Sequence, residues 1–182
     1  MKIGVIGWGS LIWNPMEVNF ALTSWNNDGP NLPIEFARRS QDGRVTLVIY
    51  KPYIDEPEKW VKTYWNIMSV ESIEEAIETL RRRERTIKRY IAHLLPDSKN
   101  TIGDKIKKEI KKWLQDKELD GVIWTDLPPN ISLEKVIPYL QSLQGNTLKK
   151  AKEYVEKTPK QILTPLRKRM EKILGWKCIS EV

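Results

Sequence analysis

Two β-rich runs, 33–38 (PIEFAR) and 44–51 (RVTLVIYK), flank Arg39-Ser40-Gln41-Asp42-Gly43 before any helical pattern begins. Asp-Gly between apolar runs is a strong hairpin signal, because the tight turn joining two strands needs residues that tolerate a positive φ. A hairpin this early is incompatible with the alternating strand–helix order of a doubly wound sheet. It points to an α+β chain with a mixed or antiparallel sheet, open or closed into a barrel.

The other elements fit that frame. An apolar strand occupies 2–7 and another 62–69 (KTYWNIMS), with a loop at 26–30. Ser72 and Glu75 form a capping box that starts a helix running to about residue 85. A helix over about 104–115 places Ile106, Ile110, Trp113 and Leu114 on one face. A strand returns at about 120–126 and stops at Leu127-Pro128-Pro129-Asn130, since proline cannot donate to a sheet ladder. Further helices are expected from Ser132 to about 143, over about 147–157, and from Thr158-Pro159 to Gly175. Without a repeat or a long linker, residues 1–182 read as a single domain, large enough to bury a core.

Composition removes several chemistries. Cys178 is the only cysteine and His93 the only histidine, which excludes internal disulfides, zinc clusters and HExxH chemistry. No metal is therefore expected. No basic start leads into a long apolar run with a cleavage site, and no 18-residue apolar window exists, so a cytoplasmic protein without a membrane partner is expected. The net charge of +7 is uneven: residues 1–75 carry net −3 and residues 76–182 net +10. The basic half is interspersed with glutamates and reads as a solvated helix surface. Nucleic-acid binding is the weaker reading, because no motif accompanies the charge.

The first strand runs into Gly7-Trp8-Gly9, which resembles the start of a dinucleotide fingerprint. Ile12 stands where the third small residue belongs, and Pro15 follows where a helix should be opening. Glu35, with Arg38 and Arg39 nearby, could supply the ribose-binding acid, but it lies inside a strand and a hairpin follows it. The P-loop pattern fails outright. The glycines permit a tight turn, and the backbone N–H groups of such a turn can bind a carboxylate as well as a phosphate.

The helix after Ser72 carries Ile73, Ala76, Ile77 and Leu80 at the spacing of a buried stripe. Four residues on from Leu80 lies Glu84, within about 40° of Ile73, Ile77 and Leu80 at 3.6 residues per turn. Partial burial and the negative end of the helix dipole would both raise its pKa, and a carboxylate tuned upward is what a general base at neutral pH needs. The alternative is a structural glutamate paired with one of Arg81, Arg82, Arg83 or Arg85. Ser10 lacks a triad pattern, His93 reads as a core or boundary histidine, and Cys178 has no activating partner.

Three stretches resemble the gamma-glutamyl cyclotransferase-like family. "GVIGWGSLIW" resembles its Tyr-Gly-Ser-Asn-Leu turn, "LPIEFARRSQDGRVTLVIY" its hairpin, and "YWNIMSVESIEEAIETLRRRERT" its strand and helix ending in a catalytic glutamate. The resemblance covers residues 1 to about 90 and the later strand "GVIWTDLP". It implies a small mixed β-barrel with flanking helices, here with C-terminal helices added over about 130–182. It implies intramolecular attack of a γ-glutamyl α-amine on its own γ-carbonyl, releasing 5-oxoproline without a cofactor. By motif position, Glu84 is the base and Trp8, Gly9, Ser10 and Leu11 form the substrate turn. Trp8 and Leu11 depart from the signature Tyr and Asn, and Arg85 stands where relatives often carry Gly. A non-catalytic binding protein of the same fold is the main alternative.

Overall fold

The computed structural model describes residues 1–99 and 103–179. The strands are β1 (Ile3–Gly7), β2 (Asn31–Leu32), β3 (Ile34–Arg39), β4 (Val45–Ile49), β5 (Val61–Lys62), β6 (Tyr64–Met68), β7 (Ile91–Leu94) and β8 (Gly121–Thr125). The helices are α1 (Ile73–Glu84), α2 (Lys105–Gln115), α3 (Leu133–Ser142), α4 (Gly145–Lys157) and α5 (Pro165–Leu174). The chain forms two compact units. The first comprises Met1–Gly7, Asn14–Leu32 and Lys62–Leu127; the second comprises Trp8–Trp13, Pro33–Val61 and the chain from Pro128 onward. β2 and β5 lie where the chain passes from one unit to the other.

The first unit is built on a four-stranded sheet in the order β6-β1-β8-β7. β1 runs antiparallel to β6, with Ile3 opposite Met68, and parallel to β8, with Ile3 opposite Gly121. β7 runs antiparallel to β8. Every residue of β1 is buried, as suits an unbroken apolar run in the middle of a sheet. α1 packs on β7 and β8, and α2 on β7 and β2. The outer edge of β6 is covered by the chain from Asn19 to Asn26: Ala21 N–H donates to Ile67, and Asn26 and Trp65 exchange backbone bonds. The buried Asn66 amide donates to the carbonyls of Leu22 and Ser24, fastening the same strap. Asp28 accepts from the Trp65 indole at 2.7 Å and from Lys117 at 2.6 Å, while the Trp113 indole donates to its carbonyl at 2.8 Å.

The hairpin expected at Asp42-Gly43 forms in the second unit. β3 and β4 pair antiparallel, with Ile34 opposite Ile49, and Gly43 closes the turn at φ 84°. Ala37 is an extra residue in β3, and its carbonyl accepts from the N–H groups of Asn130 and Ile131. The Asn130 side chain exchanges bonds with the backbone of Arg39, so the proline-rich stop after β8 has a second use along the edge of β3.

α3 and α5 pack on β3. The fully buried Glu35 of β3 accepts from Phe36 N–H at 2.8 Å, Thr164 Oγ1 at 2.5 Å and Leu166 N–H at 3.0 Å. Two of these donors belong to the start of α5. The fully buried Arg167 donates to the carbonyls of Thr158, Pro159 and Ile162. Burial pushes the Glu35 carboxyl above its ordinary value, against the donors around it, which include the Tyr53 hydroxyl. Burial, with the nearby Glu35 charge, also pushes Tyr53 up to about 12.

Two sequence expectations are corrected. The last helix opens at Thr164-Pro165, not Thr158-Pro159. Thr158 instead ends α4, its hydroxyl donating to the Tyr154 carbonyl, whereas the Thr164 hydroxyl accepts from Arg167 N–H as an N-cap. The strands also do not close into a barrel. Among the described residues the large sheet ends at β6 and β7, and the hairpin pairs only within itself. The edge of β6 is already taken by the 19–26 strap, and β7 is only four residues long.

A raised Glu35 makes the folded chain bind a proton more tightly than the unfolded one. Its contribution to stability is therefore fully present below the ordinary glutamate range and is lost as pH rises through the folded value. Glu35→Gln costs a hydrogen bond at every pH, because an amide faces donors on both sides, but it removes this loss. The stability deficit of the variant should shrink between pH 4 and pH 8, measured by urea unfolding.

Candidate functional site

α1 begins as its sequence dictates. The Ser72 hydroxyl accepts from Glu75 N–H, and the Glu75 carboxylate reaches back to Glu71 N–H. Its buried positions are Ala76, Leu80 and Arg83, while Ile73 and Ile77 are half-buried. The stripe therefore continues onto Arg83, seven residues from Ala76, rather than onto Glu84. The Arg83 side chain is 6% exposed and that of Glu84 17%. Arg83 Nη1 meets Glu84 Oε1 at 2.5 Å, and Arg83 Nη2 donates to the Asn14 carbonyl at 2.7 Å. Glu84 is thus engaged by one of the four arginines around it, as the structural reading of this residue also supposed.

The end of α1 is a Schellman motif. Thr86 N–H bonds the Arg81 carbonyl and Arg85 N–H that of Arg82, with Arg85 at φ 50° and ψ 47°. A left-handed residue directly after Glu84 is the conformation that glycine would adopt without strain.

The turn Trp8–Leu11 belongs to the second unit, as Glu84 belongs to the first. It turns tightly, with Ile12 N–H bonded to the Gly9 carbonyl at 3.0 Å. Trp8 and Leu11 are buried, and the Trp8 indole donates to the Leu47 carbonyl at 3.2 Å. The Trp8 side chain anchors the turn to the hairpin, and Ser10 is half-buried. A Cβ on Gly9 would lie 2.5 Å from the Tyr154 hydroxyl. Tyr154 accepts from Leu47 N–H at 3.3 Å and is edge-packed by Trp13 and Phe36, so it has little room to retreat.

Other candidates are accounted for. Glu35 caps α5, Arg38 donates to the Pro128 carbonyl, and Arg39 lies over the Tyr139 ring, so the dinucleotide reading loses its recognition residues. His93 is exposed on β7 opposite Ile123, on a strand the sequence reading did not mark, and is neither core nor boundary. Cys178 donates to the Thr158 carbonyl. Among the described residues no group of three or more His, Cys, Asp or Glu is placed to hold a metal ion, and no helix is long and apolar enough to cross a membrane. The residue that sequence reasoning missed is Arg83. Its signal was the i, i+4, i+7 spacing of Ala76, Leu80 and Arg83, hidden among four arginines. Compared with protein-family models, with curated proteins and with solved structures, the chain finds no match.

Arg85→Gly should relieve the left-handed strain and raise stability by about 0.5–1 kcal/mol after the added entropy of an unfolded glycine. Gly9→Ala should cost about 1–3 kcal/mol by overpacking, and less in a Tyr154→Phe background, where the hydroxyl it strikes is absent. Urea unfolding of single and double variants measures both.

Proposed function

We propose that the chain is a cyclotransferase-type enzyme that releases 5-oxoproline from a γ-glutamyl amine or peptide. The observation that carries this reading is the end of α1: the helix stops at Glu84, and the next residue takes the backbone conformation of a glycine. The resembled family often places Glu-Gly at this position, and here Arg85 adopts the glycine geometry without being one.

In the reaction, Glu84 takes a proton from the substrate α-ammonium. The freed amine attacks the γ-carbonyl, a C–N bond forms, and the tetrahedral centre carries an oxyanion. The bond to the leaving amine then breaks as that amine takes up the proton held by Glu84. The freed carboxylate accepts the second proton of the new ring nitrogen and passes it on, so the amine departs as an ammonium and the lactam keeps one N–H. The nucleophile and the carbonyl are in one molecule, so much of the barrier is met by holding the substrate bent.

Incubation with a panel of γ-glutamyl amines and dipeptides should yield 5-oxoproline, detected by chromatography, and Glu84→Gln should lower the rate about 100-fold or more. No product across the panel overturns the proposal. Substrate-induced thermal stabilisation without turnover favours the binding-protein alternative.

A further inference from the structure

Glu84 and Arg83 are consecutive on α1, and consecutive residues on a helix do not face each other. Their contact at 2.5 Å is therefore made between the ends of two long side chains and is not set by helix spacing. Arg83 does so from a buried position, although Arg82 and Arg85 in the same turn are exposed and Arg81 is half-buried. Taking a guanidinium out of water costs several kcal/mol unless its donors are met. One arm is met by Glu84 and the other by the carbonyl of Asn14, a residue of the same unit. A single planar group therefore binds the carboxylate and the backbone at Asn14. Arginine suits this task, because its rigid fork fixes direction where a lysine ammonium acts as a point charge.

We propose that Arg83 is the positioning residue for Glu84: it holds Oε1 and thereby aims Oε2 at the substrate ammonium, using Asn14 O as its fixed point. This rests on the cyclotransferase reading of Glu84. Arg83 touches no reacting atom; it acts through the carboxylate. A purely structural arginine would affect the amount of folded protein and leave the kcat of the folded fraction unchanged.

The test compares wild type with Arg83→Lys, Arg83→Met and Arg83→Ala, with rates normalised to folded protein by circular dichroism. Loss of positioning should lower kcat in Arg83→Met about 10–100-fold, the scale of a misplacement near 1 Å, while KM moves less than about threefold. Arg83→Lys should fall between, and millimolar guanidinium should restore part of the kcat of Arg83→Ala. If wild type makes 5-oxoproline and Arg83→Met keeps kcat within about twofold, the positioning role is overturned and the cyclotransferase reading stands. Should Arg83→Met fail to fold, Arg83→Lys with wild-type kcat overturns the role equally, since an ammonium cannot reproduce the two-armed contact. A wild type inactive on every γ-glutamyl compound removes both.

Discussion

Glu35 carries a carboxylate with no access to water, and much of the second unit is arranged to supply it with donors. It sits on β3, yet two of its hydrogen bonds come from Thr164 and Leu166 at the start of α5. A buried acid would be prohibitive alone; at a helix N-terminus it meets unpaired N–H groups and a favourable dipole. Arg167 answers it one turn later at the opposite kind of site, gathering the carbonyls left by the end of α4 and the following bend. The two groups do not need each other. Each is matched to a helix end, and together they fix where α4 stops and α5 begins.

That arrangement explains which parts of the chain could be read in advance. The hairpin at Asp42-Gly43, the Ser72 cap and the apolar face of α2 depend on neighbours within a few residues, so local pattern suffices. The start of α5 does not. Thr-Pro occurs at 158–159 and at 164–165, and both satisfy the local rule for opening a helix. Glu35, 129 residues away from Thr164, contacts only the second of them. The missing barrel has the same origin: strand existence is local, but closure depends on which edges are free, and the strap at 19–26 had no strand pattern to announce it.

The end of α1 was legible in outline and wrong in one detail. Periodicity placed a polar residue on the inner face, and two positions could fill it. Choosing Glu84 put the acid on the stripe; the fold puts Arg83 there and draws the acid to it. The difference changes the chemistry from a carboxylate among apolar groups to one gripped by a guanidinium. Arg85 adds a second constraint, since a non-glycine residue in left-handed backbone needs the two Schellman bonds to hold it.

Tyr154 has a consequence for the order in which the chain can be completed. It fills the space against Gly9, meets Trp13 edge-on and bonds to Leu47, yet it is made long after all three. A ribosome releasing the first two-thirds of the chain exposes a glycine turn and a hairpin with no ring to pack between them. The Gly9 turn is synthesised well before Tyr154 and, by this contact, matures only after it.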